Sequence, residues 1–232
     1  MQDKRSYVYG VFQSVASGYD KANARISLGL HKRWKTAAVR ALCAGLPDRP
    51  RILDVGCGTG DMLLLIAQEA PDAELVGLDF SPNMLEQARI RCAGITGLTL
   101  VQGDAQALPF DDEHFDGVSI AFALRNTTDY GAVLAEARRV LKPGGTLVCI
   151  DSFVPANVVV KPFYHLYFSV LMPLLGGGIK HWKDYRWLSD STKQFVTVRQ
   201  LCDLMRSQGY DNPQHKTFMF GACACVSGKR PS

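Results

Sequence analysis

The most constraining feature of the chain is a turn in which glycine recurs at every second position. Arg51-Ile-Leu-Asp-Val55 is a short apolar run, Asp54-Val-Gly56-Cys-Gly58-Thr-Gly60 overlaps its end, and Asp61 to Glu69 carries a helical pattern. A strand handing over to a helix through glycines brings backbone amides and a helix N-terminus to one point, where an open α/β sheet receives ligands. Glycine suits that point because a Cβ would hold a ligand off the backbone. The third glycine comes two residues after the second. The turn therefore lacks the longer pyrophosphate-facing loop of the dinucleotide fingerprint, which argues against a nicotinamide cofactor.

Around this turn strands and helices alternate. Glu74 to Leu78 reads as a second strand ending at Asp79, and Ser81 with Pro82 supplies an N-cap and a first-turn proline for a helix to Cys92. Leu98 to Gln102 and Phe115 to Ala121 read as strands, Tyr130 to Leu141 as a helix, and Thr146 to Ile150 as a fifth strand after the turn Lys142-Pro-Gly-Gly145. This is the pattern of a parallel α/β sheet. Outside it, residues 1–45 read as helical with a break at Ser27-Leu-Gly29, and 155–190 as an aromatic-rich insertion. The tail predicts a helix from Val198 to Ser207 and strands at Gln214 to Phe220 and Ala222 to Ser227. Within the last strand Cys223 and Cys225 fall on one face, where packing explains them better than zinc does.

A chain of 232 residues with 47% hydrophobic content fills one large core and excludes a disordered or collagenous polymer. Seven cysteines, an odd number, and the polar, aromatic start MQDKRSYVYG point to a reducing cytoplasm. The longest apolar run, Phe163 to Ile179, is interrupted by Pro173 and three glycines and is too short to span a bilayer. The net charge of +4 hides a division: +6 over residues 1–40, −8 over 41–154, and +3 over each of 155–187 and 188–232. An acidic centre suits a cationic ligand, and basic flanks suit an anionic substrate, an anionic surface or the centre itself.

The glycine turn resembles the first motif of the class I S-adenosylmethionine-dependent methyltransferases. Asp79, 25 residues beyond Asp54, then corresponds to the acid that accepts hydrogen bonds from the ribose hydroxyls. Asp104-Ala105 corresponds to the pair that reads the adenine edge. Taken alone, Asp79 also reads as a helix-start acid and Asp104 as a turn cap. The resemblance implies S-adenosyl-L-methionine as cofactor, S-adenosyl-L-homocysteine as product and no metal. It implies a cofactor site of Asp54, Gly56, Gly58, Thr59, Gly60, Asp79, Phe80, Asp104, Ala105 and Ala121. It also implies a Rossmann-like, seven-stranded, mostly parallel sheet with N-terminal helices and a helical insertion before the last two strands. As a single domain the chain divides into an N-terminal cover (1–45), a cofactor-binding core (46–152), a substrate-cover insertion (153–190) and a C-terminal helix with strands (191–232).

Past the fourth strand, Leu124-Arg125-Asn126-Thr-Thr-Asp129 resembles the corresponding stretch of the ubiquinone/menaquinone biosynthesis C-methyltransferases. Three further stretches are similar to that family. They are Val11-Phe-x-Ser-Val-Ala-x-x-Tyr19-Asp20 with Asn23, Ser27, Gly29, His31, Trp34 and Lys35; Ala107-Leu-Pro-Phe110; and Phe163 to Pro173 with Tyr185, Trp187 and Leu188. The chain departs from the family at Ala22, Val196 and Val226, where Met, Pro and His are usual. The resemblance implies C-methylation of a prenylated quinol, demethylmenaquinol foremost. Methylation of a soluble aromatic or polyketide-like molecule is the alternative.

In that chemistry a phenol with a pKa of about 10 needs help to make its ring nucleophilic near neutral pH. Arg125 is expected to stabilise the developing phenolate and Asn126 to orient the ring oxygen, with Tyr19 and His31 as proton acceptors. The plainer alternatives pair Arg125 with Asp129 and leave Tyr19 and His31 to packing. The apolar face of Phe163, Leu166, Tyr167, Val170, Leu171 and Leu174, with Lys161, Lys180, Trp34, Trp182 and Trp187, predicts peripheral contact with an anionic membrane surface. No separate nucleic-acid module is visible, and the oligomeric state, a homodimer included, stays open.

Overall fold

The computed structural model describes residues 27, 29–167 and 190–232, with Gly10. Helix α1 spans His31–Cys43 after a turn at Ser27, Gly29 and Leu30, so the sequence break falls where expected. There follow β1 (Arg51–Val55), α2 (Asp61–Glu69), β2 (Glu74–Asp79), α3 (Pro82–Arg91), β3 (Leu98–Gln102), β4 (Phe115–Ala121), α4 (Tyr130–Val140) and β5 (Leu141–Ser152). Then come α5 (Val160–Leu166), α6 (Val198–Ser207), β6 (Asp211–Phe218) and β7 (Cys223–Lys229). The sheet has seven strands in the order β3-β2-β1-β4-β5-β7-β6, parallel except where β7 runs antiparallel to β5 and β6.

Alternation along the central strands divides the core. Leu53, Val55, Val118 and Ile120 point to the face covered by α4 and α6, with Leu134, Ala137, Leu201 and Met205. Ile52, Val148 and Ile150 point to the other face, against Ala38, Val39 and Leu42 of α1 and Leu63 and Ile66 of α2. Caps set the helix starts. Ser81 Oγ accepts from Met84 N with Pro82 at the first position, Asp129 caps α4 through Ala132 N, and Thr197 with Gln200 forms a capping box for α6. Asp129 is thus spent as a cap.

Several boundaries differ from expectation, most of all in the last three strands. The fifth strand extends from Leu141, because Phe115 pairs with Leu141 and Gly117 with Thr146, leaving Lys142 to Gly145 to bulge out. Gly144 takes φ +77° within it. The hairpin strands run Asp211–Phe218 and Cys223–Lys229, because Met219 and Phe220, at φ +47° and +54°, make the turn instead of extending the strand. β6 is a sheet edge, and a register shift between Asp211 and Gln214 with Pro213 inside it blunts that edge.

Candidate active site

The strand order reverses between β1 and β4, so the crevice at their C-terminal ends is left uncovered by crossover connections. A cleft enclosing about 1210 Å³, open solvent at its mouth included, lies there. It runs from Asp54, Gly56, Gly58 and Thr59 past Asp79 and Phe80 to Asp104 and Ala105, and on the other side along Ala121 to Ala123 and Asn126 to Thr128. Nine of the ten expected cofactor residues line it. Gly60 does not: its Cβ position falls 2.4 Å from Cys92 Sγ, so its glycine serves the packing of α3 at φ +89°. Gly58, at φ +53°, has nothing within 4 Å of its Cβ position, while that of Gly56 lies 2.5 Å from Ala123 Cβ.

Four acidic side chains of the core line this cleft: Asp54, Asp61, Asp79 and Asp104. Asp54 ends β1 fully buried, on the face shared with α1, and its register partner on β4 is Ser119. The Ser119 hydroxyl donates to Asp54 Oδ1 at 2.6 Å, and Oδ2 has no hydrogen-bond partner among the described residues. Burial pushes this carboxyl up to about 7, against the Ser119 hydrogen bond and the Lys35 charge. Asp79 accepts Gly58 N–H on Oδ2 and Ser81 N–H on Oδ1, both at 2.9 Å, so it braces the glycine turn while lining the cleft. Burial raises its pKa. Asp104 accepts Gln106 N–H at 2.9 Å. A buried carboxyl with one oxygen lacking a hydrogen-bond partner suits the cationic end of a ligand, and acids at the end of β2 and just past β3 suit a nucleoside's hydroxyl and amino donors.

Arg125 departs from expectation. Its guanidinium is 3% exposed, does not line the cleft, and pairs with Asp151 of β5, not with Asp129. The physical reason is burial: a cation removed from water needs a counter-charge, and Asp151 supplies it. Arg125 Nη1 also donates to Phe122 O at 3.1 Å. Asn126 does line the cleft, its Nδ2 donating to the same carbonyl at 3.2 Å. Phe122 takes φ +56°, a costly backbone for an aromatic residue at the mouth of a site. Its ring lies between Lys35 Nζ, 5.7 Å from the centroid, and the Arg125 guanidinium at 5.8 Å. His31 is buried at the start of α1, its Nδ1 2.6 Å from Ser27 Oγ, and is not among the cleft residues. Tyr19, Trp182 and Trp187 lie outside the described residues.

Several participants were given no site role from the sequence, Lys35 being named there only within the N-terminal stretch that resembles the family. Lys35 of α1 reaches the cleft and pairs with Asp61 Oδ2 at 3.0 Å. Arg91 of α3 donates to Asp61 Oδ1 and to Thr59 Oγ1, each at 2.6 Å, and to Thr59 O. Burial would raise the Asp61 carboxyl, but the Lys35 charge and hydrogen bonds from both cations hold it at about 2. Cation and acid lie 26 and 30 residues apart in these pairs, and Ser119 and Asp54 65 apart. One signal existed: Lys35 within an otherwise apolar helical stripe.

The chain matches the ubiE/COQ5 methyltransferase family over residues 1–230. The demethylmenaquinone methyltransferase of Bacillus licheniformis is 38% identical over 230 residues, covering 98% of each chain. That of Bacillus subtilis is 38% identical over 233 residues, covering 98% of this chain and 99% of its own. Among solved structures, an S-adenosylmethionine-dependent methyltransferase of Thermotoga maritima shares the fold at TM-score 0.65 and 22% identity, over 96% of this chain and 99% of its own. A Haemonchus contortus phosphoethanolamine N-methyltransferase, solved with S-adenosyl-L-methionine, does so at TM-score 0.65 and 16% identity, over 86% and 53%. With its sheet order, its glycine turn and a family match spanning nearly every residue, this chain is a methyltransferase that belongs to the ubiE/COQ5 family.

Proposed function

We propose that the enzyme takes a methyl group from S-adenosyl-L-methionine and places it on a ring carbon of a prenylated quinol, demethylmenaquinol, the reduced form of the demethylmenaquinone in the names of its relatives. The observation that supports this reading is the buried Asp54 carboxyl, one oxygen held by Ser119 and the other buried without a hydrogen-bond partner among the described residues, at the wall of a cleft that continues to Asn126. When bound, the donor supplies a methyl on a sulfonium, already activated for in-line displacement. Asp54 receives the cationic amino-acid end, Asp79 the ribose hydroxyls, and Asp104 with the Ala105 amide the adenine edge. Gly56 and Gly58 let the ligand approach backbone.

Asn126 holds the quinol oxygen, since its amide faces the cleft with acceptor and donor capacity beyond the bond to Phe122 O. Arg125 is a positioning residue: tied to Asp151 and to Phe122 O, it fixes the turn from which Asn126 projects. Tyr19 is the proposed proton acceptor. Walls of Phe122, Ala123 and Val133 exclude water from the reacting atoms.

A lipid-tailed acceptor fits the apolar surface of α5 and its approach, where Val158, Val159, Phe163 and Leu166 are 60% or more exposed beside Lys161. We propose that this surface meets an anionic bilayer peripherally. Among the described residues no helix is long and apolar enough to cross a membrane.

The test is mass spectrometry on a panel of demethylated quinols with and without a prenyl tail. One methyl gained on a ring carbon of the tailed quinol is expected. No gain, a gain on oxygen, or equal turnover of the tail-less compound would overturn the assignment. Sedimentation with vesicles tests the surface: binding independent of anionic lipid would remove it.

A further inference from the structure

Four carboxylates line the cleft, those of Asp54, Asp61, Asp79 and Asp104, and among the described lining residues one side chain, Lys35, is cationic. This creates a problem for any ligand ending in an amino acid. Its ammonium has acids on every side, but its carboxylate meets like charge everywhere except at Lys35. The fold delivers Lys35 to the required place. It rises from α1 on the sheet face that carries Asp54 and Ser119, and it is 9% exposed. Its ammonium is 3.0 Å from Asp61 Oδ2 and over the Phe122 ring. An ammonium carries three N–H donors, and the hydrogen bond to Asp61 uses one, leaving capacity directed at the cleft.

We propose that Lys35 binds the α-carboxylate of the donor's methionine end, while Asp54 takes its ammonium, so that the two residues read the amino acid as a zwitterion. This rests on the donor assignment above. Asp61 holds Lys35 in place, fixed in turn by Arg91, so the carboxylate subsite is preformed. Loss of the methyl removes the sulfonium charge but not the carboxylate. Lys35 therefore contributes alike to donor and product.

Calorimetric titration with three ligands tests this: S-adenosyl-L-methionine, S-adenosyl-L-homocysteine, and decarboxylated S-adenosylmethionine, which keeps the sulfonium and ammonium but lacks the carboxylate. The unaltered enzyme is expected to bind the first about 10- to 100-fold more tightly than the third, the value of a charge-assisted hydrogen bond in a shielded site. In Lys35→Met the first two are expected to weaken by a factor of that size, while the third, a dication without a carboxylate, is unchanged or binds more tightly. Lys35→Arg is expected to keep the preference. A lysine that merely pinned α1 to the glycine turn would weaken all three together, and that result, or no preference in the unaltered enzyme, overturns the proposal. Failure of the unaltered enzyme to bind any of the three would defeat the donor assignment itself, and this proposal with it.

Discussion

Replacing Asp151 with alanine strands the Arg125 guanidinium. The two side chains are 2% and 4% exposed, so water cannot substitute for the lost carboxylate. Breaking a buried pair from one side costs about 3 to 5 kcal/mol, because the remaining charge stays desolvated without a partner. For a chain of this size that corresponds to about 2 to 4 °C in Tm per kcal/mol, a fall of about 6 to 20 °C in all. Urea denaturation with thermal melts measures it. The double variant Arg125→Met with Asp151→Leu removes both charges and is expected to regain only part of the loss, because the backbone N–H groups of Arg125 and Ser152 lose their acceptor. Its turnover stays low, because the bond from Arg125 to Phe122 O is gone and the turn carrying Asn126 loosens. A loss below about 1 kcal/mol in Asp151→Ala, the range of exposed ion pairs, would refute the reasoning. Full turnover in a stable double variant would refute the positioning role.

Asp54 gives a pH signature. Its folded pKa, pushed up to about 7, exceeds its ordinary value of 3.8, so the folded chain holds the proton longer. Its contribution to stability is full below about pH 4 and is lost as pH rises toward about 7; Asp54→Asn flattens that slope in a urea series. Binding a cationic donor favours the ionised form, so titration near pH 6 in buffers of differing ionisation heat should show proton release that Asp54→Asn abolishes. No release would count against the assigned role. Ser119→Ala leaves Asp54 Oδ1 without its donor; a cost of about 1 to 3 kcal/mol and an upward move of the Asp54 step are expected, and an unmoved step contradicts the pairing. Gly56→Ala sets a Cβ 2.5 Å from Ala123 Cβ at φ +69°, so donor affinity should collapse, as equilibrium dialysis would reveal; retained affinity would show that the turn gives way.

How much of this was written in the sequence depends on the range of the interaction. The limits of β1, β3, β4 and α2 were legible to the residue, because hydrophobic period is a local signal, and Ser81-Pro82 announces the start of α3. The lengthened β5 was not, since its first residue pairs with Phe115 across a bulge that no local pattern marks. Asp54, Asp79 and Asp104 were legible through the resemblance of their motifs to the methyltransferases; Asp61 was not. Nor were their partners. That Arg125 would meet Asp151, 26 residues on, and not Asp129, four residues on, follows only once β4 and β5 are adjacent. The nearer acid was already engaged by the amide of Ala132.

Asp54 and Ser119 stand opposite each other in the register of the two central strands. A slip of one residue in that pairing would turn one of them to the far side of the sheet. On the proposed role of Asp54, ligand capture depends on the correct alignment of β1 with β4, and a folding intermediate that mispairs them would keep its secondary structure yet ignore the ligand. Recovery of binding during refolding would then report when the central strands reach their native register.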